Sequence, residues 1–125
     1  MGRKRKIAFH LNCLEQGGAE RVVSNLANQF AKEGYDVLVA TEWFGENEFR
    51  IDQRVRRVHV GLKDGDEKKN RILQFLLRVK YLRQFMKKEK PDILIAFAQR
   101  ANYRALMAAP GTNVPVLISI RTDPV

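Results

Sequence analysis

The first third of the chain follows an order of segments that few folds can accommodate. Residues 6–12 form a short apolar run rich in β-forming side chains, which predicts a buried strand. Apolar residues then recur at the spacing of one helix face, at Ala19, Val22, Val23, Leu26 and Phe30. Gly34 predicts the end of that helix, and residues 35–41 form a second apolar run. Together they predict a βαβ unit with parallel strands and a right-handed crossover.

Two adjacent glycines, Gly17 and Gly18, stand between the first predicted strand and its helix. In open parallel sheets ligands collect beyond the carboxyl ends of the strands, which is where this pair lies. Glycines permit positive φ and close approach of another molecule, and the free amides at a helix start attract anions. The alternative is that the pair forms only a tight turn. Its context favours a phosphate or diphosphate site.

The rest of the chain continues the alternation of predicted strands and helices. Further strands are predicted at residues 55–60, 92–97 and 114–120, and further helices at 71–90 and 103–109. In the last helix we expect Ala105 and either Leu106 or Met107 to face inward. These segments predict an α/β fold, a Rossmann-like open parallel sheet of about five strands with flanking helices. Since no helix follows the last strand to cover it, we expect residues 1–125 to be one incomplete domain.

Composition limits the partners and the compartment. The hydrophobic content of 45% suffices for one domain, and the net charge of +9 indicates a phosphate, a nucleic acid or an anionic bilayer as partner. The single cysteine, Cys13, excludes an internal disulfide and a zinc cluster and favours a reducing, cytoplasmic setting. The basic start is followed by too few apolar residues for a signal peptide or a membrane span.

The predicted helix at residues 71–90 is basic and carries an apolar stripe wider than one sheet requires. Such helices often lie on anionic membranes, with cations at the headgroups and apolar residues between them. The cations expected to do this are Arg78, Lys80, Arg83, Lys87 and Lys88. An ordinary solvated surface helix is the alternative.

Two features of the sequence, an Asp-x-Asp pattern and a histidine, give only weak evidence for a metal or ligand site. Asp64 and Asp66 form an Asp-x-Asp pattern that some sugar transferases use to hold a metal-bound diphosphate, but they lie in a charged loop without partner ligands. We therefore interpret them as a solvated loop and predict no metal site. His59 lies within the alternating strand predicted at residues 55–60 and is interpreted as a packed or surface residue.

Four short motifs, taken in order, resemble one known family. They are Gly17-Gly18-Ala19-Glu20-Arg21, the segment 32–37, Lys90-Pro91-Asp92-Ile93, and the segment 119–124. This set, which extends over nearly the whole chain, is similar to the amino-terminal domain of family four glycosyltransferases with the two-domain B fold. The nearest resemblance is to bacterial enzymes of polysaccharide or lipid-linked glycan assembly. Those enzymes usually have Arg-Asn-Asp-Pro after the fifth strand, where Thr122 here replaces the Asn.

The resemblance implies a retaining transfer of a sugar from a nucleotide-diphosphate sugar to a glycan or lipid-linked acceptor. It implies no obligatory metal or other cofactor. Family members bind the donor mainly in a carboxyl-terminal domain, which is absent here, so we expect these 125 residues to be inactive alone. The expected setting is the cytoplasm, with a peripheral position on the inner face of the membrane.

The resemblance also implies which residues line the cleft for the donor diphosphate or the acceptor. They follow the predicted strands and are Gly17, Gly18, Gln99, Arg100, Asn102, Arg121 and Asp123. Arginines such as Arg100 can pair with phosphate through two hydrogen bonds, and a carboxylate can hold a sugar hydroxyl. No catalytic residue is assigned.

Two other classes of protein compete with this interpretation. A dinucleotide-dependent oxidoreductase would also use a βαβ unit, with Glu42 as its ribose-binding acid, but no glycine stands close behind the first strand. A nucleic-acid-binding module would explain a pI near 10.1. Since no recognised motif or aromatic platform supports it, no nucleic-acid partner is expected.

Overall fold

Five parallel strands form one sheet in the computed structural model, which describes residues 5–15 and 17–119. The strands are β1 (Lys6–Leu11), β2 (Asp36–Thr41), β3 (Arg56–His59), β4 (Ile93–Phe97) and β5 (Val116–Ser119). The helices are α1 (Gly18–Lys32), α2 (Arg71–Glu89) and α3 (Gln99–Ala108). Each predicted element is present, with ends shifted by a few residues.

The strand order is β3-β2-β1-β4-β5, and all four neighbouring pairs are parallel. Phe9 of central β1 lies opposite Val39 of β2 and Ile95 of β4, so apolar side chains form continuous rows across the sheet. The chain builds one half of the sheet outward from β1 and then returns to build the other half. This order confirms the predicted Rossmann-like fold and places the topological switch point between β1 and β4.

Helix α1 covers one face of the sheet. Val23, Ala27 and Ala31 pack against Phe9 and Val39. Ser24, predicted on the polar side, is buried and donates its hydroxyl to the Glu20 carbonyl at 2.8 Å.

The predicted inward face of α1 is therefore partly wrong, since Val22 and Leu26 are exposed. Small residues face the sheet instead and allow the helix to approach it closely. Leu117 of β5 is also exposed, and its strand neighbours Val116 and Ile118 pack on the opposite face of the sheet.

Helices α2 and α3 pack against the other face and against each other. Leu82, Phe85 and Met86 of α2 are buried, as are three alanines of α3, Ala101, Ala105 and Ala108. The prediction that Ala105 faces inward is confirmed. The prediction that Leu106 or Met107 also faces inward is wrong, since both are exposed. The alanines let the two helices approach closely, which leaves the larger side chains of α3 on the outside.

The amino-terminal half of α2 is not covered by the sheet. Its large apolar side chains Ile72, Leu73, Phe75 and Leu76 are exposed, and the sequence predicted an apolar stripe wider than one sheet requires. The helix is capped at its start by Asn70, whose Oδ1 accepts from the Leu73 amide at 2.8 Å. It ends at Lys90, which has φ of 49° and is followed by Pro91. The first two turns of the helix thus present large apolar side chains on the surface.

The interpretation of Asp66 as part of a solvated loop is wrong. Asp66 is buried in a short 3₁₀ turn, Asp66–Lys68, just before α2. Its carboxylate accepts from the Lys63 amide at 2.9 Å, the Tyr81 hydroxyl at 2.7 Å and the Lys69 ammonium at 3.0 Å. These contacts, the Lys63 amide first, lower the pKa of Asp66 to about 2. The carboxylate therefore anchors the turn to α2.

Candidate functional site

Buried polar side chains meet beyond the carboxyl ends of β1 and β2. The amides of Glu42 and Trp43 both donate to the Asn12 carbonyl, at 2.8 and 3.2 Å, and so join the two strand exits. His10, Glu42 and Arg104 are buried there. Charged groups seldom lie in a protein interior unless they are paired.

Arg104 of α3 is the centre of this cluster. Its Nε donates to His10 Nε2 at 3.1 Å, and its Nη2 donates to Asn12 Oδ1 at 2.5 Å. Glu42 Oε2 lies 3.7 Å from Arg104 Nε, while Glu42 Oε1 accepts from Arg78 Nη1 of α2. The cluster therefore connects β1, the end of β2 and both helices of this face.

The protonation state of His10 follows from its neighbours. His10 Nδ1 lies 3.0 Å from the Ala40 carbonyl, which can only accept, so Nδ1 carries the proton and Nε2 accepts from Arg104. Burial, and then the charge of Arg104, lower the pKa of His10 to about 3. A neutral His10 thus holds the Arg104 guanidinium in one orientation.

Like charges also crowd Arg104. Burial lowers the pKa of Arg104, Glu42 raises it, and the neighbouring Arg78 and Arg100 lower it. Glu42 is thus the acid that offsets positive charge at this point, and its Oε2 has no hydrogen-bond partner among the described residues.

A cavity of about 230 Å³ opens beside this cluster, between α2 and α3. Its lining is cationic and aromatic: Arg71, Gln74, Phe75, Arg78, Arg100, Tyr103 and Arg104. Four guanidinium groups around one cavity favour an anionic occupant.

The structure brings three of the predicted site residues together at the start of α3. Arg100 lines the cavity, and the Gln99 side chain donates to the Tyr103 hydroxyl at 3.2 Å. Asn102 is buried and donates from Nδ2 to the Ser119 carbonyl at 2.9 Å, which ties α3 to the end of β5. Arg121 and Asp123, like Thr122, lie outside the described residues.

Gly17 and Gly18 lie at the start of α1, on the α1 face of the sheet. Neither has a positive φ, and Gly17 is extended at −161°, so the conformational reason given for the pair is wrong. A Cβ on Gly17 would come within 2.9 Å of Glu20 Oε2, so the Glu20 carboxylate lies beside the helix start. Anion binding by these two glycines stays a prediction.

The cations predicted to face a membrane divide into two groups. Lys80, Lys87 and Lys88 are exposed. Arg78 pairs with buried Glu42, and Arg83 donates to the carbonyls of Ala108, at 3.1 Å, and Pro110 at the end of α3. In the described part of the chain no helix combines the length and hydropathy required to cross a bilayer.

Sequence reasoning missed His10, Asn12 and Arg104. A signal for Arg104 was present, since it shares the i, i+3, i+4, i+7 spacing of Ala101, Ala105 and Ala108 and so lies on the buried face of α3. Glu42 was considered only as a ribose ligand, yet its carboxylate faces arginines inside the protein. Residues 5–15 and 17–119 contain no cluster of three His, Cys, Asp or Glu side chains arranged to hold a metal.

Known proteins share this fold over most of the chain. The structure superposes on a glycosyltransferase from Rickettsia africae with a TM-score of 0.66 and 16% identity, covering 98% of this chain and 32% of that one. It superposes on sucrose-phosphate synthase from Thermosynechococcus elongatus with a TM-score of 0.68 and 12% identity, covering 92% and 32%. These similarities support the fold.

The sequence matches a curated protein of Campylobacter jejuni. That protein is GalNAc-alpha-(1->4)-GalNAc-alpha-(1->3)-diNAcBac-PP-undecaprenol alpha-1,4-N-acetyl-D-galactosaminyltransferase, which is 29% identical over 114 residues. The match covers 91% of this chain and 32% of that protein, so the chain spans about a third of its relative's length. Residues 16–124 match the family model described as Glycosyltransferase Family 4. The match extends over most of the sequence, and the chain therefore belongs to Glycosyltransferase Family 4.

Proposed function

We propose that this chain forms the acceptor side of a retaining glycosyltransferase. The enzyme transfers a sugar from a nucleotide-diphosphate sugar to a glycan or lipid-linked acceptor in bacterial cell-surface polysaccharide assembly. Membership of the family supports the reaction class. The Campylobacter relative is named for an acceptor linked to PP-undecaprenol, which supports a lipid-linked acceptor.

In this proposal the cleft is lined by residues that follow the strands, and the transfer needs no obligatory metal or other cofactor. Gln99, Arg100 and Asn102 lie together at the start of α3, beyond the carboxyl end of β4. Gly17 and Gly18 contribute from the start of α1, and Arg121 and Asp123 follow β5 in sequence. Guanidinium and amide groups there would bind phosphate and sugar oxygens.

The observation that supports a lipid-linked acceptor is the set of exposed apolar side chains on the amino-terminal half of α2. Ile72 is 76% exposed and Leu76 is 51% exposed, one helical turn apart, with Leu73 and Phe75 beside them. Arg71 and Lys80 on the same helix are also exposed. Apolar side chains flanked by cations enter the headgroup region of anionic membranes, where burial of the side chains and charge attraction add.

Vesicle sedimentation tests this surface. We expect the protein to bind vesicles that contain phosphatidylglycerol, to bind pure phosphatidylcholine vesicles much more weakly, and to be released by salt. Replacing both Ile72→Ser and Leu76→Ser should reduce binding about tenfold or more, since each loses an apolar side chain from the lipid boundary.

A matched control lies on α1. Val22 and Leu26 are exposed, have the same four-residue spacing and lie on the opposite face of the sheet. The Val22→Ser, Leu26→Ser variant should bind vesicles like the unaltered protein. Equal loss in both variants, or equal binding to both lipid types, would remove the membrane surface from the proposal.

A further inference from the structure

We propose that the cavity between α2 and α3 is a diphosphate-binding site formed by Arg71, Arg78, Arg100 and Arg104. This assignment rests on the proposed function only for the source of the diphosphate. The chemistry of the site follows from the cavity itself, which four guanidinium groups line.

The charge of the cavity is not balanced by the protein. Glu42 pairs with Arg78 and lies near Arg104. Within residues 5–15 and 17–119, the side chains of Arg71 and Arg100 make no hydrogen bond and no ion pair. Unpaired cations held near buried cations repel one another, and an anion of two or more charges would remove that repulsion.

Two of the four arginines are already fixed in place. His10 and Asn12 each accept from Arg104, and Glu42 accepts from Arg78. Side chains held by buried partners lose little conformational entropy when a ligand binds. The cluster thus positions Arg78 and Arg104, while Arg71 and Arg100 line the cavity and are exposed.

The rest of the lining indicates what the diphosphate is attached to. Phe75 lines the cavity and also belongs to the exposed apolar row of α2 with Ile72 and Leu76. A diphosphate in the cavity could therefore continue directly into an apolar chain lying along that row. A guanidinium fork matches phosphate oxygens, and the apolar row matches a lipid tail.

Calorimetric titration with inorganic pyrophosphate tests the site, using vesicle-free protein. We expect binding of pyrophosphate that is tighter than binding of inorganic phosphate. The Arg71→Gln, Arg100→Gln variant should bind pyrophosphate about tenfold or more weakly, since two charge-assisted contacts are lost. It should also melt at a higher temperature than the unaltered protein without ligand, because the repulsion among the arginines falls.

The matched control removes the same charge from the other end of α2. Lys87 and Lys88 are exposed, and about 16 residues of helix place Lys87 roughly 24 Å from Arg71, beyond the screening length at physiological salt. The Lys87→Gln, Lys88→Gln variant should keep pyrophosphate affinity within about twofold. Equal weakening in both variants, or no pyrophosphate binding, would overturn the site. That result together with intact vesicle binding would leave the proposed function standing.

Two further ligands identify the source of the diphosphate. Geranyl diphosphate carries an apolar tail, whereas uridine diphosphate represents the donor. Both should displace pyrophosphate if the cavity binds diphosphates, and displacement by neither would contradict the assignment. Tighter binding of geranyl diphosphate, weakened by Ile72→Ser and Leu76→Ser, assigns the site to the acceptor. Tighter binding of uridine diphosphate, unaffected by those changes, assigns it to the donor.

Discussion

A buried histidine in this protein acts as a neutral acceptor for an arginine. His10 is enclosed by β2 and α3, with the Ala40 carbonyl at Nδ1 and Arg104 at Nε2. Protonation would place a second positive charge beside Arg104 and would remove the only acceptor on the ring. The pKa of His10 is therefore lowered to about 3, from 6.5.

This shift makes the folded state sensitive to acid. Between these pKa values the unfolded chain binds a proton at His10 that the folded protein does not, so stability falls as pH decreases below about 6.5. We expect a loss of about 1.4 kcal/mol for each pH unit between roughly 6 and 4.5. Urea unfolding at several pH values measures it. Below that range the carboxylates begin to titrate as well.

The second histidine provides the control for this experiment. His59 is exposed on β3 and stacks on Phe44, so the His59→Gln variant should keep the slope of the unaltered protein. The His10→Gln variant should be less stable at pH 7 and should show a flatter dependence on pH. An unchanged slope in His10→Gln would show that His10 is not the group responsible.

At the scale of elements, the junction between β4 and α3 is strained. Ala98 has φ of 81° and ψ of 147°, a region that is open to glycine and costly for other residues. The residue begins the helix that carries Arg100 and Arg104, so the direction of the chain at Ala98 decides where these side chains lie. The sequence shows no glycine there and did not predict this conformation.

Replacing Ala98→Gly should relieve the strain. We expect the free energy of unfolding to rise by about 1 kcal/mol, measured by urea denaturation. Ala109→Gly at the other end of α3 is the comparison, because Ala109 has an ordinary helical φ of −68°. That change should lower the free energy of unfolding by about 1 kcal/mol. A loss of stability in Ala98→Gly would mean that Ala98 is not strained.

At the scale of the whole molecule, the candidate residues lie along the carboxyl edge of the sheet, where open α/β proteins bind ligands. The chain supplies this edge, but it spans about a third of the length of its Campylobacter relative. Our proposal assigns the nucleotide-sugar donor mainly to a part that corresponds to the remaining two thirds of that relative. An acceptor site alone cannot orient the two reacting groups.

We therefore expect no sugar transfer by residues 1–125 alone, measured with radiolabelled nucleotide sugars and a lipid-linked acceptor. Pyrophosphate binding should be retained in the same preparation, which would show that the chain is folded. The Campylobacter relative, assayed in the same way, is the positive control. Turnover by the 125 residues would contradict the division of labour between the two parts.

Much of the fold could be predicted because it depends on local patterns. Apolar runs, helical spacing and the glycine and proline boundaries predicted the five strands and three α-helices found in residues 5–15 and 17–119. A helix end such as Gly34, with φ of 97°, depends on the backbone conformation of one residue and requires no contact with a distant residue. The buried face of a helix was less predictable. Val22 and Leu26 are apolar yet exposed, because smaller residues of α1 face the sheet and let the helix approach it closely.

The candidate site was predicted only in part. Gln99, Arg100 and Asn102 were predicted as site residues through the family resemblance, which places them directly after a strand at the ligand edge. The partners of Arg104 were not, since His10 and Asn12 lie more than 90 residues away in sequence and meet it only after the sheet has formed. Long-range contacts of this kind depend on the order of the strands in the sheet and on the handedness of the connections between them.

The sequence by itself determined the alternation of strands and helices, the basic charge and the family, because each is carried by neighbouring residues or ordered motifs. The tertiary structure alone decided which charges are paired. It placed Arg78 and Arg104 around Glu42, anchored Asp66 to Tyr81, and left the first turns of α2 uncovered. The physical reason is that burial and pairing depend on which distant segments meet, and no local pattern records that.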